Sequence, residues 1–526
     1  MNKRIFIFLF IIGALCLCGC ADDFATKINL DGNSSEGEFN SEAALYGTVQ
    51  DNYGKPIAGV LVSDGMQTTE TDAKGNWQLF SDLKLRRFVF VTIPAGYEVP
   101  SKNGIPQFWQ RIPENEKQFK ADFTLMKRAG SGDRYTILMT ADPQIRAKTA
   151  GTDKYMFHSI DIYEDMCKDM KELAATITDR PVYSICLGDM VHNNMSLWED
   201  YCEGLKDFSF PVFHVIGNHD HIQNAASDDL AVAEYEKYLG PTNYAVDLGQ
   251  VHYIFLDNIE MADNSALTAS ATGAYKNGLS EEAVEWLCGH LSHVDKNKIL
   301  MVCGHTSFYK KIGYDPSVSD LNASVYTGLF SAYKFVHSWA GHNHDYYNYA
   351  YEETSPKYPN VESHILGRST GMLGLNASVT SDGGPRGYLV IDVDGENITW
   401  KFKACGYEEG KKLENLPADW QLRAYAPNEQ GWYTSGKVYV NVWNYDAHWG
   451  PVYYSDSGKT KVAMSKDKTH DGYANSLYEQ YKDQYTVLAY TTTPHMFSIE
   501  PSEGATSATI ETTDRFGNRY TASVSW

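Results

Sequence analysis

From Tyr46 onward the chain alternates apolar and polar residues in short runs cut by turns: YGTVQDNYGKPIAGVLVSDG, TTETDAKGNWQLF, RFVFVTIP and FTLMKR. A period of two between Asp-Asn-Tyr-Gly and Asp-Ala-Lys-Gly turns predicts a small β-sandwich over residues 42–130. From 131 to 362 the pattern changes. Apolar strands alternate with stretches of helical period, MFHSIDIYEDMCKDMKELAATI and SEEAVEWLCGHLSHV, which predicts an α/β domain. In the second of these stretches Ser280 is placed to cap the helix, with Glu281 and Glu282 on its positive end. From 363 to 526 Gly-punctuated strands return (GYLVIDVDG, ITWKFKACG, VYVNVWNYD, SATIETTDRFG, YTASVSW) and predict a second β-rich domain.

The first residues read as an address. Lys3 and Arg4 precede the apolar run IFIFLFIIGALCLC, shorter than the roughly 20 residues that span a bilayer. The run ends in Leu17-Cys18-Gly19-Cys20, which resembles the lipobox of bacterial lipoproteins; the resemblance implies a signal peptide over 1–20 and acylation of Cys20. Residues 21–41 are polar and read as a linker. Ala21-Asp22-Asp23 is similar to the acidic stretch that marks surface export in some Gram-negative lipoproteins. The expected location is the bacterial cell envelope, lipid-anchored, facing the periplasm or at the cell surface.

Five segments of the α/β domain share one design, an apolar strand running straight into ligand-type side chains. They are YTILMTADPQ with Asp142 and Gln144, VYSICLGD with Asp189, VFHVIGNHD with Asn218 and His219, KILMVCGH with His305, and FVHSWAGHNH with His342 and His344. Ligands of open α/β sheets bind beyond the carboxyl ends of strands, so these tips are expected to converge. The period of two in an extended chain would send the paired side chains of Asp142-x-Gln144 and His342-x-His344 the same way, toward one cation. His192, His221, Asp153, His158, Tyr309 and Tyr346 lie close in sequence to the tips and read as supporting or surface residues, and His214 as core.

The ordered set D-x-Q, G-D, G-N-H-D, G-H and G-H-x-H resembles the calcineurin-like metallophosphoesterases, whose commonest first motif is D-x-H. The resemblance implies a four-layer α/β sandwich holding two divalent metal ions. The first would sit on Asp142, Gln144, Asp189 and His344, and the second on Asp189, Asn218, His305 and His342. A hydroxide bridging them would attack a phosphoester, His219 would protonate the leaving group, and Asp220 would orient His219. Gln144 departs from the pattern. An amide oxygen is a weaker, harder donor than imidazole, so a looser first site is expected, with Mn or Mg favoured and Fe or Zn as alternatives. The N-terminal Gly47-x-Val49-x-Asp51-x-x-Gly54-x-Pro56 stretch resembles a transthyretin-like sandwich, expected to space and pack. The C-terminal segment resembles a domain that accompanies such sandwich-bearing members, with Asp382, Arg386 and Gly387 as candidate site-edge residues.

Charge and cysteine content narrow the partners. With 45 basic against 67 acidic residues the net charge is -22, which repels phosphate backbones and argues against a nucleic-acid polymer. A small phosphorylated substrate is compatible, because two divalent ions would outweigh Asp142 and Asp189 locally. Cys167, Cys186, Cys202, Cys288, Cys303 and Cys405 form no CxxC pair, and so suggest neither a thiol catalyst nor a zinc cage. The competing reading is a glycan- or surface-binding lipoprotein with a weakened metal site. Nothing in the pattern specifies an oligomeric state or distinguishes monoester from diester.

Overall fold

The computed structural model describes residues 39–148, 159–261, 274–309, 320–350, 359–372, 378–483 (apart from 409, 415, 418, 430–432 and 434) and 491–526. The leader with Cys20, nearly all of the linker, Asp153 and His158 lie outside the described residues. No described helix is long and apolar enough to cross a membrane.

Two sheets face each other at the centre. The first orders as β3-β2-β1-β10-β11, from β1 (Arg134–Thr140), β2 (Val182–Cys186), β3 (Val212–His214), β10 (Gly387–Asp394) and β11 (Asn397–Ala404). The second orders as β4-β5-β6-β7-β9-β8, from β4 (Tyr244–Leu248), β5 (Val251–Phe255), β6 (Ile299–Cys303), β7 (Phe335–Ala340), β8 (Tyr347–Tyr349) and β9 (Val361–Ile365). Strands β1, β2 and β3 are parallel, as are β5, β6, β7 and β9, so their carboxyl ends emerge together.

Alternation along β1 makes the layers. Tyr135, Ile137 and Met139 point into the core shared with the second sheet, while Leu138 packs with α1 (Ser159–Thr176) and α2 (Trp198–Leu205) on the outer face. The Tyr135 hydroxyl lies 3.0 Å from Leu248 O and 2.9 Å from the Tyr253 hydroxyl, pinning one sheet to the other. Helices α3 (Glu281–Leu291) and α4 (Ala323–Ser331) belong to the second sheet, which completes the four layers expected. Ser280 Oγ accepts from Ala283 N at 3.2 Å, so the predicted cap is present.

The structure differs from the sequence reading at residue 363. Strand β9 crosses that boundary, and β10 and β11, assigned from sequence to the C-terminal part, pair beside β1 in the first central sheet. The hairpin GYLVIDVDGENITW announces two antiparallel strands but not which sheet they join. The remaining C-terminal strands form two four-stranded sheets of their own, beginning with Leu422–Tyr425 and closing with Arg519–Ser525, and two short two-stranded ribbons.

Both flanking sandwiches are fused to the centre. The N-terminal one shares its hydrophobic core with the second sheet: Phe90 packs on Trp286, Phe108 on Tyr244, and Trp286 Nε1 donates to Ser63 Oγ at 3.0 Å. The C-terminal one is locked by Arg515, whose guanidinium contacts Glu362 on β9 at 2.8 and 2.9 Å and Asp446 at 2.9 Å while lying over the Trp400 ring. His337, Glu362 and His364 gather there in a metal-like arrangement, but Arg515 already holds both oxygens of Glu362 and serves as the cluster's cation. Arg515→Met leaves two buried carboxylates uncompensated and should cost about 3–5 kcal/mol. A thermal midpoint unchanged from wild type would contradict this lock.

Candidate metal centre

The five predicted tips meet at one place. Asp142 and Gln144 follow β1, Asp189 follows β2, Asn218 and His219 follow β3, His305 follows β6, and His342 and His344 follow β7. Parallel pairing on each sheet and face-to-face packing of the two sheets bring these carboxyl ends together. The residues are buried except His219, His342 and His344, which are partly open to solvent, with the His344 side chain 20% exposed.

The tips are not extended, as the sequence reading assumed. Asp142 (φ 51°), Gln144 (φ 44°), Asp189 (φ 55°), His342 (φ 68°) and His344 (φ 64°) all adopt the left-handed conformation, which costs a non-glycine residue on the order of 1–3 kcal/mol. Strands β1, β2 and β7 therefore turn sharply at their ligand residues, and the paired side chains converge through turns instead of strand alternation. The glycines of the motifs make room for this: a Cβ on Gly217 would lie 2.2 Å from Asp189 Oδ1, and one on Gly341 2.4 Å from Asp142 Oδ2.

Four donors stand in short contact, each within 3.3 Å of at least one other. Asn218 Oδ1 is 3.1 Å from His305 Nε2 and 3.0 Å from His342 Nδ1; the two imidazole nitrogens are 3.3 Å apart; Asp189 Oδ1 is 3.3 Å from His305 Nε2. Donors around a tetrahedral ion with spokes of about 2.0 Å stand roughly 3.3 Å apart, so the cage has the size of a transition-metal site. His305 gives its Nδ1–H to Leu187 O at 2.8 Å, which leaves a lone pair on Nε2 facing the other acceptors. Such lone pairs repel unless a cation lies between them. Although burial lowers His305, Asp189 and Asp142 draw it up to about 10: a proton takes the Nε2 lone pair where no metal ion does, a measure of how strongly this pocket calls for positive charge. The donor set fits a divalent ion.

The neighbouring set is less complete. Asp142, Asp189 and His344 bring ligand atoms within 4.8 Å of one another, with Asp142 Oδ1 to His344 Nε2 at 3.5 Å. Gln144, expected to offer its amide oxygen, does not. Its Nε2 donates to Asp189 Oδ2 at 2.8 Å, and its Oε1 accepts from Arg368 Nε at 3.2 Å. Both polar atoms of the Gln144 amide are thus engaged by protein partners. Arg368 escaped the sequence reading, although HILGRST repeats the design of the other tips: strand β9, then glycine, then a polar side chain.

His219 stands beside the cage. Its backbone N–H donates to Asp189 Oδ1 at 2.9 Å, its Nδ1–H donates to Asn193 Oδ1 at 2.9 Å, and its ring stacks on His192 at 4.0 Å. Asp220 does not orient it. The Asp220 carboxylate accepts from Val191 N and Gly217 N, both at 2.9 Å, and so ties the loop after β2 to the loop after β3. His221 supports the same loop through Gly217 O at 2.8 Å. The half-buried Tyr275, absent from the sequence reading, sets its ring edge-on to His342 at 6.3 Å.

Several candidates lie elsewhere. Asp382 is buried behind the site, accepting from Tyr346 N at 2.7 Å and facing His495 Nε2 of the C-terminal sandwich at 3.1 Å; it braces the loop that carries His344. Arg386 packs at Tyr407 O and Asp165, and Gly387 opens β10, so neither edges the site. Tyr309, Tyr346 and His214 are core residues, and all six described cysteines are unpaired.

Comparison with known families agrees with this geometry. Residues 43–128 match the N terminal of Calcineurin-like phosphoesterase, 135–346 the Calcineurin-like phosphoesterase model, and 369–520 the C terminal of Calcineurin-like phosphoesterase, in that order along the chain. The chain belongs to the calcineurin-like phosphoesterases. As a member it is a hydrolase of phosphoesters, and the family implies divalent metal ions at the centre described above. The phosphoesterase is similar to the solved purple acid phosphatase PPD1 from yellow lupin seeds, at 13% identity over 68% of each chain with a TM-score of 0.37. It is also similar to a putative 5'-nucleotidase from Staphylococcus aureus, at 14% identity over 54% of this chain and 56% of that one, TM-score 0.32. A third likeness is the calcineurin-like phosphoesterase YfkN from Bacillus subtilis, at 13% identity over 52% and 91% of the two chains, TM-score 0.29. The phosphoesterase thus spans little more than half the length of the Staphylococcus aureus nucleotidase. At these TM-scores the likenesses bear on neither substrate nor mechanism. Among curated proteins no match is found.

Proposed function

We propose that this phosphoesterase cleaves the P–O bond of a small phosphorylated substrate, monoester or diester, at the convergence of the five strand tips. The observation that carries the reading is the cage of Asp189, Asn218, His305 and His342 with His219 poised beside it. Two imidazole nitrogens and two oxygens suit a borderline divalent ion such as Zn²⁺ or Fe²⁺ and also accept Mn²⁺, with Asp142 and His344 available to a second. A divalent ion there supplies a Lewis acid for a phosphoryl oxygen and acidifies a bound water.

The chain's own residues do the rest. Asp142 and Asp189 are held by backbone N–H groups of His342 and His219, so their oxygens meet substrate already oriented. Asn193 fixes the His219 tautomer with Nε2 directed away from the Nδ1 bond. Burial lowers His219 below the usual imidazole value, so in the resting site it is neutral. An arriving phosphate dianion favours the protonated ring, which can then pass its proton to a departing alkoxide.

Assay of p-nitrophenyl phosphate and bis-p-nitrophenyl phosphate tests the proposal, and the ratio of the two rates assigns monoester or diester chemistry. Binding of surface glycan without turnover of either ester would support the rival reading of a binding lipoprotein. The leader residues Lys3 and Arg4, the apolar run and Cys20 support a lipid-anchored position in the cell envelope. Labelling with radioactive palmitate should be lost in Cys20→Ser, and retained label would remove the anchor.

A further inference from the structure

We infer that Arg368 is a positioning residue that holds Gln144 away from metal coordination, leaving one tightly furnished divalent site and a second that becomes complete only with a substrate phosphate. The inference rests on the phosphoesterase reading above and concerns how the same centre fills.

Proton accounting carries it. Arg368 is 1% exposed, and all its hydrogen-bonding atoms are donors: Nε to Gln144 Oε1 at 3.2 Å, Nη1 to Gly371 O at 3.0 Å, and Nη2 to Pro143 O at 3.0 Å. The Gln144 atom that faces Nε must therefore be oxygen, which turns the amide NH₂ toward Asp189 Oδ2 at 2.8 Å. The flipped amide would oppose N–H to N–H at Arg368 and oxygen to carboxylate oxygen at Asp189. Two such repulsions in a buried site decide the orientation.

Two consequences follow for a cation beside Asp142. A hydrogen-bond donor occupies the position where the family pattern has imidazole, and Asp189 Oδ2 already spends a lone pair on that donor. Only Asp142, Asp189 and His344 remain, against four donors in the neighbouring cage. Arg368 also contributes a permanent positive charge against Asp142 and Asp189; burial lowers it to about 10, still protonated at neutral pH. A second divalent ion thus lacks a ligand and meets a like charge until a phosphate oxygen arrives to fill both deficits.

Gln144→Glu isolates the effect, since a carboxylate can accept from Arg368 with one oxygen and offer the other to a metal. Metal-free mature chain is titrated with Mn²⁺, and bound metal is followed by electron paramagnetic resonance and elemental analysis. Wild type should bind one Mn²⁺ tightly and give an uncoupled six-line signal. Gln144→Glu should bind the second Mn²⁺ about 10- to 100-fold more tightly and give an exchange-coupled spectrum. Arg368→Met, where it folds, should move the second affinity the same way by freeing the amide to turn. Two equally tight, coupled Mn²⁺ ions in wild type, or an unaltered second affinity in Gln144→Glu, would overturn the role of Arg368. Absence of tight Mn²⁺ in both folded proteins would overturn the metal-centre reading itself, and this inference with it.

Discussion

Replacing Asp189 by Asn should lower turnover about 1,000-fold or more, because a metal supplies several kcal/mol of transition-state stabilisation and each 1.36 kcal/mol is a factor of ten. The Asp189 side chain joins three residues of the centre. Its Oδ1 belongs to the four-donor cage and accepts the His219 N–H; its Oδ2 accepts from Gln144; its backbone oxygen accepts from Gln144 N at 2.8 Å. Asn keeps the shape and removes the charge that offsets a divalent ion in a buried site. Bound metal measured by elemental analysis should fall together with turnover. A variant that keeps its metal and its rate would place the chemistry elsewhere.

The second large effect depends on the leaving group. His219→Ala should slow hydrolysis of alkyl phosphoesters about 100- to 10,000-fold, the range for a lost general acid, and that of p-nitrophenyl esters far less. An alkoxide needs a proton as it departs, whereas p-nitrophenolate leaves without one. The geometry gives His219 this task, since Asn193 takes its Nδ1–H and the residue stays partly open to solvent while Asp189, Asn218 and His305 behind it are buried. Metal content should be unchanged, because the His219 ring makes no contact inside the four-donor cage and its backbone N–H bond to Asp189 survives in alanine. Equal losses on alkyl and aryl esters would remove the acid role and leave His219 as a substrate-binding residue.

Much of this centre was legible because its residues follow apolar strands directly. Asp142, Gln144, Asp189, Asn218, His305, His342 and His344, named from the sequence, are all brought together at the strand tips. The orientation of the Gln144 amide was not legible, for a physical reason. Which way an amide points depends on its partners, and Arg368 lies 224 residues away on a different strand tip. Asp220 was misread similarly, because GNHD suggests a carboxylate aimed at the neighbouring histidine, whereas its oxygens accept from the backbone of two loops. The sharp left-handed turns at the tips were hidden as well, since Asp and His carry no glycine-like signal for positive φ. Strands β10 and β11 show the limit for topology: alternation and a Gly-containing turn announce a hairpin, and only tertiary packing places it beside β1.

The most direct test of the account is a titration of metal-stripped mature protein with Mn²⁺ while hydrolysis of p-nitrophenyl phosphate and bis-p-nitrophenyl phosphate is recorded. The account predicts no turnover in the stripped protein and recovery on adding Mn²⁺, with His305→Ala failing to recover at the same concentrations. Full turnover without metal, or equal recovery in His305→Ala, would contradict a metal-dependent phosphoesterase centred on these strand tips.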